Sequence, residues 1–362
     1  MGIIKMRLLC LMFVIIILLQ AISVIAAPND LSFRTAVFYS VGSRPFNIQT
    51  GDFNGDDLLD LVVSNYDSNS ISVLIGKGNG EFYSQVNYMV GTRPGIISLG
   101  DYNLDGKLDI AVANYGSDNC SVLLGKGDGT FNYHVTLGVG VRPTGIATGD
   151  YDSDGIPDLA VTNYGSNSTS ILIGKGDGSF KSQVTYSSGI NSVCMITGDL
   201  NRDGKLDLIV ANTNNGQGNI SVLIGKGDGT FNAPIYHSVG GNPRIFSGDY
   251  NNDGIPDLGV VNIVDDNVIV LLGKGDGTFD TKATYQVGAT PMHISNGDFD
   301  GDGYLDLVVP NRDSGYISIM TGRGDGAFHP QVIFSAGSQP NNVAVGDFNR
   351  DGKQDIAVTD FG

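Results

Sequence analysis

Short apolar runs recur along the chain, each bounded by clusters of Gly, Asp and Asn. Around one cluster, Ile146, Ala147 and Thr148 precede the tract GDYDSDGIPD, and Leu159, Ala160 and Val161 follow it. Ile171, Leu172 and Ile173 then lead into GKGDGSF, and a fourth run starts at Phe180 and alternates through Val184 and Tyr186. Runs this short between turn residues predict strands, and no segment shows a helical period. The whole unit repeats. Gly-Asp tracts begin at 51, 100, 149, 198, 248, 297 and 346, spaced by 49 residues with one interval of 50. A second Gly-rich segment interleaves with them at 76, 125, 174, 225, 273 and 322. Four short strands per unit at this period predict an all-β fold, a seven-bladed β-propeller of four-stranded antiparallel blades. A linear solenoid would need capping repeats, and neither end reads as one.

Residues 33–42, FRTAVFYSVG, match the fourth-strand segments FKSQVTYSSG at 180 and FDTKATYQVG at 279. The last residue, Gly362, follows directly on the second strand of the seventh unit. The expected closure has the N-terminal strand completing the last blade, which also hides an edge. That blade is then incomplete, lacking its third strand and Gly-rich turn. The chain is read as C-terminally truncated by about 15 residues. Ahead of the repeats, Lys5 and Arg7 precede an apolar run over 8–19, and Ala21, Ser23, Ala26 and Ala27 follow. This pattern predicts a secretory signal peptide over 1–27 and a single domain over 28–362. An uncleaved anchor is the weaker reading, because Gln20 and Ser23 interrupt a stretch that barely spans a bilayer. Secretion is expected, with no other membrane span. Cys120 and Cys194 then remain, at unlike positions of different repeats, and are expected to be buried thiols rather than a bridge.

Each Gly-Asp tract continues as Asp-x-Asn/Asp-x-Asp-Gly-x-x-Asp. Positions one, three, five and nine are Asp52, Asn54, Asp56 and Asp60, then Asp101, Asn103, Asp105 and Asp109, then Asp150, Asp152, Asp154 and Asp158. They continue as Asp199, Asn201, Asp203 and Asp207, then Asp249, Asn251, Asp253 and Asp257. The last two sets are Asp298, Asp300, Asp302 and Asp306, and Asp347, Asn349, Asp351 and Asp355. Alternate residues of a tight turn aim oxygens inward, and Gly at position six permits the positive φ that folds the loop back. A backbone carbonyl at position seven, such as that of Ile156, could add a further oxygen. All-oxygen donors select a hard cation. Calcium fits best, because it accepts six to eight ligands in flexible geometry where magnesium demands an octahedron. Up to seven calcium ions are expected. The loop is not an EF-hand: position twelve is apolar, as at Val63, Val112 and Val161, where an EF-hand needs a bidentate Glu. Plain hairpin turns would use Asp, Asn and Gly, but need no third carboxylate in copy after copy. Asp57 replaces Gly at position six of the first copy, which is expected to weaken that site. The GKGDG segments are read as structural hairpins.

These Gly-Asp tracts and the LIGKGDGTF segments span residues 33–362 and resemble FG-GAP/VCBS repeats, similar to the N-terminal propeller of integrin α-subunits. The resemblance implies a seven-bladed propeller with calcium loops joining the first two strands of a blade on one face. It also implies an extracellular binding or adhesion role, with ligands engaged on the opposite face. Calcium motifs in all seven units place the chain nearer the many-site VCBS type than the integrins.

Composition sharpens this picture. The chain of 362 residues carries 21 Lys+Arg and 38 Asp+Glu, a formal net charge of −17. Of the acids, 23 are the loop aspartates, so the acidity is mostly metal sites rather than a surface for a basic partner. The balance also argues against nucleic acid. On the face opposite the loops, Arg44, Arg93 and Arg142 stand before Pro, and Asn-Tyr pairs stand at 65, 114 and 163. Arg and Tyr are frequent at recognition surfaces. The plainer reading has Asn and Pro shaping these loops and Tyr packing locally. Glycosylation sequons at Asn119, Asn167 and Asn219 would crowd one sector of that face if used. Arg323, Gly324 and Asp325 spell an adhesion tripeptide within a structural turn and are read as repeat drift. His134, His237, His293 and His329 fall at unrelated repeat positions, and no catalytic set stands out. The chain is therefore expected to be a secreted, calcium-binding adhesion module for a glycan or extracellular protein, and not an enzyme. The alternatives are a catalytic propeller, such as a polysaccharide-degrading enzyme, or a scaffold fragment of a larger surface protein.

Overall fold

In the computed structural model, the described residues are 31–362 together with the backbone of the strand Met12–Ile17. The rest of the expected signal peptide lies outside the described residues. No helix among the described residues is long and apolar enough to cross a membrane.

The fold is a β-propeller of four-stranded antiparallel blades. Blade one comprises Pro45–Gly51, Asp60–Asn65, Ser70–Leu74 and Val86–Met89, from axis to rim. The inner strands of blades two to six are Pro94–Gly100, Pro143–Gly149, Ser192–Gly198, Pro243–Gly248 and Ser295–Gly297. The second strands, such as Asp109–Asn114 and Asp158–Asn163, are buried at every position. Both of their faces pack on other blades, which is why they read as continuous apolar runs and do not alternate.

Six blades, rather than the expected seven, are wholly antiparallel. The seventh repeat supplies two strands, Pro340–Gly346 and Asp355–Asp360. Met12–Ile17 lies beside Asp355–Asp360 and parallel to it, and Phe33–Phe38 runs parallel to Met12–Ile17 in turn. The expected N-terminal strand thus joins this closing sheet as its outermost member, without pairing directly to the seventh repeat. The two added strands run in one direction, so the hairpin pairing of the other blades cannot form between them.

The core lies between blades. Phe53, Val62, Ile71, Ile97, Ile110 and Phe131 fill one such interface. The ring closes where Ile48, Leu61 and Val63 of blade one meet Ala344, Phe348 and Ala357. Cys120 and Cys194 are free and buried.

Each GKGDG hairpin also clasps the neighbouring blade. The amide of its last glycine donates to a loop carbonyl next door: Gly129 to Phe53, Gly178 to Tyr102 and Gly80 to Phe348, each at 2.9 Å. In all but the hairpin on Leu200, the Phe that follows packs edge-on against the aromatic of that same loop. Centroid distances are 5.6 Å for Phe131 on Phe53, 5.7 Å for Phe180 on Tyr102 and 5.7 Å for Phe82 on Phe348. Such pairs each add about 0.5–1.5 kcal/mol beyond area burial. Arg323, Gly324 and Asp325 form one of these hairpins, with the Arg323 amide on the Ala327 carbonyl and the Ala327 amide on Asp325 Oδ1, both at 3.0 Å.

A buried Asn ends each second strand of the six antiparallel blades. Asn163 Nδ2 donates to Ser170 Oγ at 2.8 Å, and Asn65 and Asn114 donate to Ser72 and Ser121 at 2.9 Å. A glycine from the inter-blade connection lies flat on each. A Cβ at Gly140 would stand 2.6 Å from the Asn163 Cγ, whereas one at Gly138 would meet nothing. Gly140→Ala is therefore expected to lower unfolding free energy by about 1–3 kcal/mol in urea denaturation, and Gly138→Ala to leave it nearly unchanged.

Candidate functional site

The loops joining first and second strands gather on one face, and their aspartates divide the work by position. The first aspartate accepts the amides of positions five and six; Asp105 and Gly106 donate to Asp101 at 3.0 and 2.8 Å. The fifth is exposed and accepts the amide of position seven, as Ile156 donates to Asp154 at 2.9 Å. The ninth is buried, and each of its oxygens takes one amide. Phe53 donates to Asp60 Oδ2 and Gly76 to Asp60 Oδ1, both at 2.8 Å. The same pair of bonds recurs on Asp109, Asp158, Asp207, Asp257 and Asp306. Desolvation nevertheless outweighs these donors. It pushes Asp60, Asp109, Asp158 and Asp257 up to about 6, and Asp306 to about 7.

Seven equivalent metal clusters were expected; among the described residues two carboxylate triads form. These are Asp150, Asp152 and Asp158, and Asp298, Asp300 and Asp306, with candidate ligand atoms within 4.8 Å of one another. Both loops have Asp at position three, where the others have Asn54, Asn103, Asn201, Asn251 and Asn349. Position five joins neither triad. Asp152 Oδ1 is buried with no hydrogen-bond partner, a desolvated anionic oxygen that a hard cation would satisfy. The donor set therefore fits a divalent metal. Asp57, expected to weaken the first loop, holds φ 61° and donates its amide to Asp52 at 2.8 Å, so the loop keeps its course. Position four is left-handed as well, even at Leu104 with φ 58°, a demand that the varied residue types there conceal.

On the propeller axis the inner strands leave a cavity of about 540 Å³. The residues four places before the Gly-Asp tracts are Asn47, Ile96, Gly145, Cys194, Arg244, His293 and Asn342, and all but Gly145 line it. The polar members are consecutive around the ring, on blades five and six, the closing sheet and blade one. The small or apolar members occupy blades two to four. Asn47 Nδ2 donates to Asn342 Oδ1 at 3.3 Å, and Asn47 Oδ1 accepts the Ile97 amide at 2.9 Å. Arg244 Nη1 donates to Asn242 Oδ1 and to the Pro243 carbonyl, both at 3.0 Å and both neutral. Burial lowers the Arg244 pKa from its ordinary value. His293 Nδ1 is buried without a partner. Desolvation, then the charge of Arg244, pull its pKa down to about 4. A desolvated cation beside a neutral imidazole with a free nitrogen suits an anionic or strongly polarised ligand. The scatter of histidines along the chain concealed this site; the signal was the column of residues at one repeat position.

The His293 shift has a definite sign. Its folded pKa lies below the unfolded one, so its contribution to stability is present above about pH 6.5 and lost as pH falls toward about 4. NMR titration is expected to show the ring neutral at pH 5, and His293→Asn to remove this part of the acid destabilisation.

A model of the FG-GAP-like repeat matches residues 52–112, 101–161, 150–210, 199–260, 249–309 and 298–358. No curated protein matches the chain. Among solved structures, the periplasmic gluconolactonase of Pseudomonas aeruginosa is similar at TM-score 0.60 and 17% identity, over 83% of this chain and 88% of that one. The BBS1 N-terminal domain, solved in complex with ARL6, is similar at 0.62 and 13%, over 87% and 92%. A functionally unknown protein of Desulfotomaculum acetoxidans gives 0.62 and 12%, over 89% and 90%. At these identities the likeness is one of fold. It corrects the expectation that the chain is not an enzyme: a propeller of this shape carries the name of a lactonase, so neither the fold nor the scattered histidines set catalysis aside.

Proposed function

This chain belongs to the FG-GAP-like repeat family, and on that premise we propose that it is a propeller enzyme of carbohydrate chemistry, hydrolysing a small sugar-derived ester such as an aldonolactone in its central pocket. The observation that carries this reading is the polar sector of the pocket, where Arg244 and His293 are neighbours, both desolvated, beside Asn47 and Asn342. Likeness of fold to a gluconolactonase supports the choice of substrate class. A cavity of this size accommodates one or two sugar units, which favours a small ester over the interior of a polysaccharide.

Water attacks the ester carbonyl, and the acyl–oxygen bond breaks. Arg244 takes the charge developing on the carbonyl oxygen, with the asparagine amides orienting the ring hydroxyls. His293 Nδ1 accepts the proton from water and returns it to the departing ring oxygen. The negative charge forming beside it raises its basicity during the step, as an opposite charge favours the imidazolium. Three further readings accompany this one. The closing sheet serves as a seventh blade, and the leader over 1–27 directs the chain to secretion, its cleavage removing the strand Met12–Ile17 from that sheet. Calcium is the cation we assign to the triads at Asp150, Asp152 and Asp158 and at Asp298, Asp300 and Asp306, with the Asn-containing loops as weaker sites. Bound there, it neutralises desolvated carboxylates and holds the loop face.

Base uptake with glucono-1,5-lactone, followed in a pH-stat, is expected to exceed the buffer rate. Arg244→Ala and His293→Ala are each expected to lower kcat/KM by about 100-fold. No turnover across a panel of aldonolactones and their phosphates, or turnover indifferent to both substitutions, contradicts the reading. Separately, calcium at about 100 times its Kd is expected to add about 2.7 kcal/mol per occupied site, read as a higher melting temperature that EDTA reverses and Asp152→Asn reduces.

A further inference from the structure

We propose that the face opposite the metal loops carries a second site, an arc of aromatic and arginine side chains that binds an acidic polysaccharide. Phe361, Phe46, Tyr66, Tyr115 and Tyr164 follow one another around the pocket mouth with centroid separations of 6.2, 5.9, 6.5 and 6.5 Å. Three guanidiniums lie among these rings. Arg44 is 5.0 Å from Tyr66 and 5.2 Å from Phe361, Arg93 is 5.8 Å from Tyr66, and Arg142 is 5.8 Å from Tyr115. All three arginines are exposed. Asp67 stands 3.9 Å from the Arg44 guanidinium, and the Asp118 carboxylate accepts the Arg142 backbone amide at 2.7 Å; among the described residues the guanidiniums of Arg93 and Arg142 form no ion pair.

The backbone does not account for these arginines. Arg44, Arg93 and Arg142 sit at φ 56, 53 and 53°, in the left-handed region. Blades four and five use Asn191 and Asn242 at the corresponding turn, at φ 55 and 57°. Asn suits that conformation and Arg does not. Three consecutive blades therefore hold a conformationally unfavourable residue whose side chain reaches a tyrosine ring. The guanidiniums lie near the rings and are exposed, so their N–H edges are open to take a carboxylate or sulfate in bidentate fashion.

The occupant follows from repetition and charge. The same Arg–Tyr step recurs from blade to blade, which fits a ligand that itself repeats. Pyranose faces can lie on the rings while acidic groups meet the guanidiniums. Most of the chain's acids are loop aspartates on the far face; on this face Asp67 and Asp118 adjoin the arc, and Asp118 is engaged by the Arg142 backbone amide. This site goes beyond the esterase reading and is measured without turnover, so either can fail while the other stands.

Affinity electrophoresis through gels containing polygalacturonate, dextran sulfate or neutral dextran tests it; the first two separate carboxylate from sulfate recognition. Retardation by at least one acidic polymer and none by neutral dextran is expected. The triple variant Arg44→Asn, Arg93→Asn, Arg142→Asn should bind at least about tenfold more weakly. Its melting temperature should be unchanged or higher, because Asn suits the turn, and Lys205→Ala on the loop face should bind as the parent does. Equal retardation by neutral dextran, full binding by the triple variant, or retardation by no polymer overturns the proposal.

Discussion

One buried carboxylate per unit holds this structure together. The ninth-position aspartate gives one oxygen to the amide that opens the metal loop and the other to the amide that opens the Gly-rich hairpin. The loop and the hairpin are thereby fixed to each other within a blade. The hairpin then reaches across to the adjacent loop, with an amide on its carbonyl and a phenylalanine on its aromatic ring. A chain of such links passes from blade to blade around the axis. Its cost is a set of desolvated carboxylates with raised pKa values, crowded on one face. A divalent cation held by the two aspartate triads would relieve that cost there, which ties acidity to loop order and ring closure.

The repeats made much of this legible. Strands, blade order and the loop face follow from local patterns, because each blade satisfies its constraints within about 50 residues. The closing sheet was less legible, since it depends on strands brought together from opposite ends of the chain, and no local pattern fixes whether such strands run parallel. The loops were half-read. Spacing identified the aspartates but not that Asp60 and its counterparts serve the backbone first, nor that Asp152 and Asp300 distinguish two loops from the rest.

The pocket shows the opposite logic. Repeat analysis rewards positions that recur and discards those that vary. The column Asn47, Ile96, Gly145, Cys194, Arg244, His293, Asn342 varies at almost every blade and so reads as noise along the chain. Around the axis it becomes a cavity with a polar half and an apolar half. Recurrent positions stabilise the ring, and variable ones line its pocket. The arginine arc lies on the rim of the same cavity, which Phe46, Tyr66 and Tyr115 also line.

The most direct test of the central claim, that the polar sector of the pocket takes a sugar-derived ester and releases its acid, is an NMR titration of the arginine and histidine side chains with gluconate, the acid product. The account predicts shifts centred on Arg244 and His293, with the His293 pKa rising from about 4 on binding. Shifts confined to the metal loops, or an unmoved His293 at saturating gluconate, would contradict it.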